Sequence, residues 1–350
     1  MPFYLKMRRL YIKTFSWEYW PVWVVYFPAG FYFLYLSIKA KSFFFFSASN
    51  PTIETGGMFF ESKWKIFQLM PKEYYPATIF VESTEDIESI SQRMNFTGIS
   101  FPIIAKPDRG ERGWGVKKIE NFEELSSYKA AVNISFLIQP YINYPVELSI
   151  FYYRNPSQKK GMITSVTLKK LLTVTGDAVS TIEELILSNN RFFLQYDKLK
   201  QQNKIDFKKV LAAGEDQVLV PYGNHVLGAT FINYNHIVNE QLTTTIDEIS
   251  KSIDGFYFGR YDLRCASIEA LQMGRDFSIL ELNGAGAEPS HIYEPGFSFF
   301  KAQLVIAQHF KMMYKAAMEN KKNGINFMTY RDYKNTQQLE KAYKQNVSII

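Results

Sequence analysis

The sequence contains little cysteine and histidine, and this shortage limits the chemistry that the chain can perform. Its 350 residues include one cysteine, Cys265, and four histidines. A single cysteine cannot form an intrachain disulfide, which fits a reducing compartment and a cytoplasmic location. No histidine lies near Cys265 in sequence to activate its thiol, so we expect a small buried residue and not a nucleophile.

Two common phosphate-binding patterns are also missing. The glycine-bearing stretch 108–116 (DRGERGWGV) is followed by no Gly-Lys-Ser/Thr ending, and it lacks the GxGxxG spacing of dinucleotide-binding folds. The net charge of +6 is spread over both ends and the middle of the chain. This charge suits a phosphate-bearing ligand or an anionic membrane surface, and we predict no nucleic-acid partner.

Apolar and aromatic residues, by contrast, are plentiful: hydrophobic residues make up 47% of the chain and aromatic residues 17%. The stretch 19–38 carries no formal charge and could cross a bilayer by its length. Pro21, Pro28 and Gly30 interrupt it, and no small-residue cleavage site of a signal peptide follows. We interpret residues 17–46 as a helix or helical hairpin in the interface of the inner membrane face, with plain burial against the protein as the alternative.

The remaining sequence alternates predicted strands and helices, as expected for a chain long enough to form two or three packed lobes. Strand patterns at 79–81, 101–106 and 135–139 are separated by helical patterns. Alternating segments at 147–153 and 161–168 indicate antiparallel strands. Two later strands, 256–263 and 277–283, are predicted to be neighbours in an antiparallel pair.

Two carboxylates and an amide stand in this last pair of strands. Glu281 and Asn283 are two residues apart and therefore share one face, and the adjacent strand can present Asp262 beside them. Oxygen ligands of this kind suit Mg²⁺, which completes its shell with water and substrate phosphates. Arg260 shares the face of Asp262, where a fixed cation could hold a phosphoryl group. The alternative is a sheet face that carries solvated charges.

A second candidate site begins at Lys106, at the end of a predicted strand. The glycine-bearing stretch 108–116, here called the glycine loop, follows directly. The lysine could neutralise phosphate charge while glycines let backbone N–H groups approach the oxygens. Alone, such a loop indicates only a turn.

Four segments together resemble the successive ATP-grasp motifs of D-alanine–D-alanine ligase and its carboxylate–amine ligase relatives. They are 101–116 (FPIIAKPDRGERGWGV), 138–148 (IQPYINYPVEL), 259–263 (GRYDL) and 280–283 (LELN). The resemblance covers about 62–289, and 174–186 (VTGDAVSTIEELI) also resembles a segment of cyanophycin synthetase-like ligases. It implies an α+β ATP-grasp fold in which two α/β lobes clasp ATP, with an aromatic N-terminal helical segment.

The resemblance also implies a division of the chain into five parts. These are the aromatic N-terminal segment (1–49), a pre-ATP-grasp region (50–100), a lobe with the glycine loop (101–150), a C-terminal lobe with the metal site (151–320) and a basic tail (321–350).

The same resemblance implies roles for individual residues. The expected contacts to ATP come from Lys63, Lys106, Arg109, Gly110, Gly113, Gly115, Gln139, Ile142 and Glu147. Arg260 and Lys106 would stabilise the transferring phosphoryl group. Asp262, Glu281 and Asn283 would hold Mg²⁺. Apart from the resemblance, His225 is a candidate to contact the acyl phosphate or the nucleophile, and a structural role is the alternative.

The chain departs from these ligases immediately after Asn283, where it continues Gly-Ala-Gly-Ala-Glu-Pro-Ser-His. The second substrate should bind there, so specificity for D-alanine does not transfer. Glu288, His291 and Arg154 are further candidates for substrate contacts.

We predict a ligase that joins a small-molecule or peptide-like carboxylate to an amine nucleophile through an acyl phosphate. The alternatives are a membrane-associated ATP-binding regulator without ligase activity and a small-molecule kinase.

Overall fold

The computed structural model describes residues 3–345 except 112, 204 and 224, so Arg112 of the glycine loop and the last five residues of the tail lie outside it. The helices are α1 (Phe3–Phe15), α2 (Val22–Ala40), α3 (Lys63–Leu69), α4 (Ile87–Thr97), α5 (Phe122–Ala131), α6 (Ile182–Ser188), α7 (Asn190–Gln202), α8 (Glu240–Ser252), α9 (Ile268–Gln272), α10 (Phe299–Lys322) and α11 (Tyr330–Gln345). The strands are β1 (Ile79–Val81), β2 (Ile103–Pro107), β3 (Lys117–Ile119), β4 (Phe136–Pro140), β5 (Val146–Tyr153), β6 (Met162–Lys170), β7 (Leu172–Thr175), β8 (Asp216–Val220), β9 (Thr230–Asn233), β10 (Phe258–Cys265) and β11 (Phe277–Asn283).

The first lobe is a four-stranded antiparallel sheet in the order β1-β4-β2-β3. Buried side chains such as Ile103, Phe136 and Ile138 pack against α4 and α5 through Ile90 and Leu125. The helices start where short polar side chains accept backbone N–H groups, as Asn121 does at the beginning of α5. This core holds β2 rigidly, and β2 carries Lys106 to the edge of the cleft.

The second lobe contains a five-stranded antiparallel sheet in the order β11-β10-β5-β6-β9. Leu148, Ile150, Tyr261 and Leu263 lie on its buried face, while the alternate positions of β10 face the cleft. A separate two-stranded sheet, β7-β8, packs with α6 and α7 in its own small core. α6 begins with a capping box in which Thr181 and Glu184 satisfy each other's backbone N–H groups.

The N-terminal segment is helical and packs against the second lobe. α1 buries Leu5 and Ile12 beside Phe193 of α7. α2 lies along α10, where the Gln303 side chain donates to the Val25 carbonyl at 2.9 Å and accepts the Ala29 N–H at 3.2 Å. Among the described helices, α2 alone is long and apolar enough to cross a membrane, with a mean hydropathy of 1.3.

The α+β fold with two lobes and an aromatic helical N-terminus, predicted from the sequence, is confirmed. β1 and β11 occupy the predicted residues, and β10 and β11 are antiparallel neighbours as expected. Cys265 is buried, and burial raises the pKa of its thiol to about 12, which agrees with a packing role. The division into five parts stays a prediction.

Candidate active site

A cleft of about 630 Å³ lies between the two sheets and is large enough for a nucleotide-sized ligand. Strands β2 and β4 line one wall, strands β10 and β11 line the other, and the glycine loop lies at its rim. Lys13 of α1 and the connection between α1 and α2, with Glu18, Tyr19 and Trp20, close one end. The cleft therefore brings together parts of the chain that are far apart in sequence.

The predicted oxygen ligands converge on one wall of this cleft. In the antiparallel register, Asp262 of β10 lies opposite Glu281 of β11, and Arg260 lies opposite Asn283. Because side chains alternate along a strand, all four project from the same face. The Asn283 amide group lies 3.4 Å from Asp262 Oδ2. Two carboxylates and an amide are thus close together, as the sequence predicted.

Two cations and a hydroxyl surround Asp262. The Arg260 guanidinium donates to both carboxylate oxygens at 3.0 Å, and Lys169 Nζ lies 3.2 Å from Oδ1. The Ser149 hydroxyl donates to the same oxygen. Burial would raise the pKa of Asp262, but Arg260 and Lys169 outweigh it and hold the pKa well below its usual range. Asp262 is therefore an anion at any physiological pH.

Two lysines reach the same region from the opposite wall. Lys106 Nζ donates to the Leu280 carbonyl at 2.8 Å and lies 4.9 Å from the centre of the Phe67 ring. Burial lowers the pKa of Lys106 to about 8. Lys63 Nζ lies 3.8 Å from Glu281 and donates to the Gly110 carbonyl. The ammonium group of Lys106 thus lies beside the strand that carries the oxygen ligands.

Lys63 and Lys65 both lie in α3, and their contacts differ in a way that favours Lys63 as the lysine that contacts a ligand in the cleft. Lys65 forms an exposed ion pair with Glu54 at 2.5 Å and does not line the cleft within the described residues. Ser62 caps α3, and its hydroxyl donates to the buried Asp108 carboxylate at 2.9 Å. This contact fixes the base of the glycine loop to α3, so that Lys63 faces the cleft.

The glycine loop is divided between the cleft and the outer surface. Gly110 and Gly113 line the cleft, and Gly110 has a positive φ of 134° with no room for a Cβ beside the Trp114 ring. Arg109 instead pairs with Glu54 at 2.8 Å, and the Gly115 carbonyl accepts the Tyr128 hydroxyl at 2.9 Å. Of the predicted loop contacts, the structure brings Gly110 and Gly113 to the cleft but neither Arg109 nor Gly115.

The expected adenine and ribose contacts lie further along the same cleft. Gln139, Ile142 and Glu147 all line it. The Gln139 amide donates to the Thr78 hydroxyl at 2.7 Å, which orients its carbonyl oxygen. Glu147 is bound by the Arg264 guanidinium at 2.9 Å. A carboxylate with one strong partner keeps lone pairs that can accept ribose hydroxyl groups.

His225 lines the cleft as a buried, neutral ring. Its ring lies 5.1 Å from that of Phe231 and 5.3 Å from that of Tyr293. Burial and the nearby Arg191 lower the pKa of His225 to about 3. Its Nε2 atom has no hydrogen-bond partner in the described part of the chain. The imidazole can therefore offer a neutral hydrogen bond to a ligand, but it carries no positive charge near neutral pH.

The other two substrate candidates lie away from the cleft lining. His291 Nδ1 contacts the Ser165 hydroxyl at 2.6 Å, and burial lowers the pKa of this histidine to about 4. Arg154 stacks over the Tyr257 ring at 4.7 Å. Neither residue is among the described side chains that line the cleft. Their positions indicate packing within the second lobe.

Glu288, in contrast, lines the cleft beyond Arg260. The Tyr293 hydroxyl donates to Glu288 Oε2 at 3.2 Å, and Arg260 donates to the Glu288 carbonyl at 3.1 Å. Burial and the neighbouring Glu288 raise the pKa of Tyr26 well above its usual value. We call this part of the cleft, with Glu18, Tyr19, Glu288 and Tyr293, the acceptor end.

Several residues of the cleft were missed by sequence reasoning. Lys169 is the most important, because it bridges Asp262 and, at 3.7 Å, Glu147. It was missed because the predicted strand stopped at residue 168, whereas β6 continues to Lys170. The sequence could have predicted it, because Ser165, Thr167 and Lys169 are each two residues apart and therefore lie on the same face of the strand.

Glu61 was also missed. It lines the cleft beside Lys63, and its buried Oε2 atom has no hydrogen-bond partner among the described residues. Burial raises the pKa of this carboxyl group. No local sequence pattern marks Glu61, since it lies in a loop before α3.

The donor set fits a magnesium ion. Within the described residues, no three His, Cys, Asp or Glu side chains gather as a metal site by themselves. The predicted set has two carboxylates and one amide, which leaves room for the water and phosphate oxygens that Mg²⁺ prefers. Asn283 directs its amino group to Asp262, so its carbonyl oxygen is left for another ligand. Glu281 and Asn283 are therefore chemically suited to Mg²⁺, and Asp262 would join them by exchanging part of its contacts with Arg260, Lys169 and Ser149.

No protein-family model matches the sequence, and no curated protein is significantly similar to it. Among solved structures, a D-alanine–D-alanine ligase from Bacillus anthracis is similar with 14% identity and a TM-score of 0.43, over 77% of this chain and 70% of that one. The VanG D-Ala:D-Ser ligase from Enterococcus faecalis has 12% identity and a TM-score of 0.42, over 75% of this chain and 62% of that one.

A bifunctional glutathione synthetase from Pasteurella multocida is similar with 17% identity and a TM-score of 0.39. That match covers 68% of this chain and 34% of the synthetase, so the chain spans about a third of that protein. The chemistry assigned to the cleft rests on the side chains described above.

Proposed function

We propose that this protein is an Mg²⁺- and ATP-dependent ligase that activates a carboxylate as an acyl phosphate and joins it to an amine or similar nucleophile. One observation carries the proposal: three oxygen ligands and four cations from both lobes meet in one cleft. The cations are Lys63, Lys106, Lys169 and Arg260. Phosphoryl transfer needs positioning and charge neutralisation far more than covalent work by the protein, and this arrangement supplies both.

In the first step, a substrate carboxylate oxygen attacks the γ-phosphorus of ATP, and the bond to the β-phosphate oxygen breaks with release of ADP. Negative charge develops on the transferring group, where Arg260 and Lys169 lie. Both cations are fixed by Asp262 before the ligand arrives, so little reorganisation is required. Lys106 and Lys63 would hold the remaining phosphate charge from the opposite wall.

In the second step, the lone pair of the amine attacks the acyl carbon, inorganic phosphate leaves and a proton is released. Glu288 at the acceptor end would attract the ammonium form of the incoming amine. The neutral His225 ring lies in the same region and can accept a hydrogen bond. Asp262, Glu281 and Asn283 would hold Mg²⁺, which neutralises phosphate charge and orients the triphosphate when bound.

The decisive experiment supplies purified protein with Mg²⁺, ATP and pools of carboxylic acids and amines. We expect ADP release that requires both an acid and an amine, and an amide product without phosphate by mass spectrometry. Asn283→Ala should abolish ADP release. Failure to bind ATP, in the parent protein and the variant alike, would contradict the proposal. A phosphorylated product that accumulates would instead identify a small-molecule kinase.

A second function, a membrane-associated ATP-binding regulator, is favoured by one observation. Large apolar side chains of α1 and α2, among them Phe15 and Trp23, are mostly exposed. Tight ATP binding without turnover across all pools would support the regulator over the ligase. We propose that the protein is located in the cytoplasm, whether it is a ligase or a regulator.

A further inference from the structure

We propose that the N-terminal helices form a peripheral docking surface for an anionic membrane. The inference begins with the distribution of exposed apolar side chains. More than half of the large apolar residues that are exposed in the described chain lie between Phe3 and Phe43. Soluble proteins rarely leave so many apolar side chains together in water, so this surface needs an apolar partner.

The exposed side chains of α2 follow helical spacing. Trp23, Phe27, Phe31, Leu34 and Ile38 are separated by three or four residues and therefore lie on one face of the helix. Trp23 is 74% exposed, and Phe27 and Phe31 are each 64% exposed. The opposite face buries Val25, Ala29, Leu36 and Ala40. α2 is thus apolar on both faces, and the protein covers only one of them.

Exposed apolar side chains also occur on two other helices, α1 and α10. Phe3, Met7, Leu10 and Phe15 of α1 are exposed, while the other side of α1 packs on α7. On α10, Phe300 and Leu304 are exposed. They lie level with the start of α2, because the neighbouring Phe299 and Gln303 contact Trp20 and Val25. We call the exposed residues of α1, α2 and the start of α10 the apolar face.

The charges around the apolar face indicate which partner covers it. Residues 3–41 contain six lysines and arginines and one acidic residue, Glu18. Arg8 and Arg9 are used internally, on α7 and the residues before it, whereas Lys6, Lys39 and Lys41 are exposed at the two ends of the helical pair. The first half of α10 adds Lys301 and no acid. Apolar side chains rimmed by lysines complement a bilayer with anionic headgroups.

The attachment of α2 favours docking over a transmembrane span. At its start, the Trp17 indole donates to the Phe297 carbonyl at 2.7 Å. At its end, Phe45 and Phe46 are buried in the second lobe. A helix fixed at both ends along the protein body would carry that body into the hydrocarbon if it crossed the bilayer. Docking instead lets the exposed face enter the interface while the buried face keeps its contacts.

Docking would also place the acceptor end of the cleft at the membrane surface. Glu18, Tyr19, Trp20 and Val22 line the cleft, and Trp23 on the apolar face follows directly in sequence. The docking proposal does not depend on the ligase chemistry, because it concerns residues outside the cleft.

The test is co-sedimentation of the full chain with vesicles of phosphatidylcholine alone or mixed with phosphatidylglycerol. We expect binding to the mixed vesicles that weakens at high salt. The triple variant Trp23→Ser, Phe27→Ser, Phe31→Ser should bind roughly tenfold or more weakly, because binding strength scales with buried apolar area. A matched control, Phe96→Ser, Met273→Ser, Leu339→Ser, removes exposed apolar side chains elsewhere and should bind like the parent chain.

Thermal melting and ATP binding of both triple variants should equal those of the parent, since the altered side chains are exposed. Absence of vesicle binding by a folded parent chain would overturn the proposal, as would equal binding by the two triple variants. A stable dimer in light scattering that the first triple variant dissociates would show that a second copy covers the face. Binding that resists an alkaline carbonate wash would indicate an integral span and would also overturn peripheral docking.

Discussion

The two ends of the cleft are built in different ways. One end, where ATP phosphates would bind under the proposed function, is here called the phosphate end, and its residues Lys106, Asp262 and Glu281 lie on strands of the two sheets. At the acceptor end, Tyr19 comes from the connection between α1 and α2, and Glu288 comes from the loop after β11. A strand fixes the direction of each side chain, whereas a loop or connection can change its residues without disturbing the core.

The two ends also differ in charge. Cations surround the phosphate end, and their counter-charges are Asp262 and Glu281. The acceptor end is mixed in charge: it has the carboxylates of Glu18 and Glu288, the cations of Lys13 and Arg191, phenol groups and the neutral His225. Under the proposed function, the cation-rich end would hold the anionic nucleotide and Glu288 would contact the second substrate. Substitutions at the two ends should therefore separate catalysis from acceptor recognition.

The largest effect is expected for Asp262→Asn at the phosphate end. The change keeps the shape of the side chain but removes the charge that fixes Arg260 and Lys169. We expect ADP release to fall by about 10²-fold or more, the usual cost of losing a preorganised charge in a reaction site. Steady-state assays of ADP release measure this effect.

Asp247→Asn is the matched control, because Asp247 is also a buried carboxylate and pairs with Lys251 at 2.5 Å. It should lower thermal stability without a comparable loss of turnover. Equal losses in the two variants would mean that the effect of Asp262 is structural.

The next effect concerns the pH dependence of ATP binding. Burial holds the pKa of Lys106 near 8, and bound phosphates favour its protonated form. Below pH 8 the lysine is already charged, so affinity should be constant. Above pH 8 binding must take up a proton, and affinity should fall by up to about tenfold per pH unit. Titration calorimetry at several pH values measures this dependence.

Lys106→Arg keeps a positive charge at all these pH values. Its ATP affinity should be nearly independent of pH between 7 and 9. An unchanged fall above pH 8 in this variant would assign the titration to another group.

The phosphate end was largely predictable from the sequence, and the physical reason is periodicity. Glu281 and Asn283 share a face because they are two residues apart in a strand, and β11 has the predicted bounds. Lys169 was missed because its strand was predicted to end at residue 168, two residues before the end of β6. The capping of α6 by Thr181 could also be predicted from the sequence, because a helix cap depends only on residues close in sequence.

The acceptor end could not be predicted in the same way. Glu18 and Glu288 share a cleft because α2 packs along α10, a contact between residues far apart in sequence. No local pattern encodes such a contact. The partners of Arg109 and Glu147 were equally hidden, because Glu54 and Arg264 are distant in sequence. The sequence predicted most of the polar side chains that line the cleft but missed Lys169 and Glu61, and tertiary packing determines which of the predicted residues face the cleft.

A smaller and more selective effect is expected for Glu288→Gln at the acceptor end. The change removes the negative charge while keeping a group that can accept the Tyr293 hydroxyl. The KM for the amine should rise about tenfold or more, as for loss of a charged hydrogen-bond partner, while the KM for ATP stays constant. Glu294→Gln is the control, because Glu294 accepts the Asn233 N–H outside the cleft lining. A change in the KM for ATP alone would contradict the proposal that the two ends of the cleft bind different substrates.

The smallest effect concerns how the free energy of unfolding depends on pH. His309 lies in α10, and burial lowers its pKa to about 4. In the folded protein this histidine stays neutral at pH 6, but in the unfolded chain it takes up protons below about pH 6.5. Protonation of the unfolded chain therefore lowers the free energy of unfolding as pH falls from 7 toward 4, by about 0.7 kcal/mol between pH 7 and 6. His309→Gln, which can keep the contact to the Thr164 hydroxyl, should reduce the acid sensitivity measured by denaturant unfolding at the two pH values. An acid sensitivity equal to that of the parent would show that His309 is protonated in the folded protein or that other groups dominate this range.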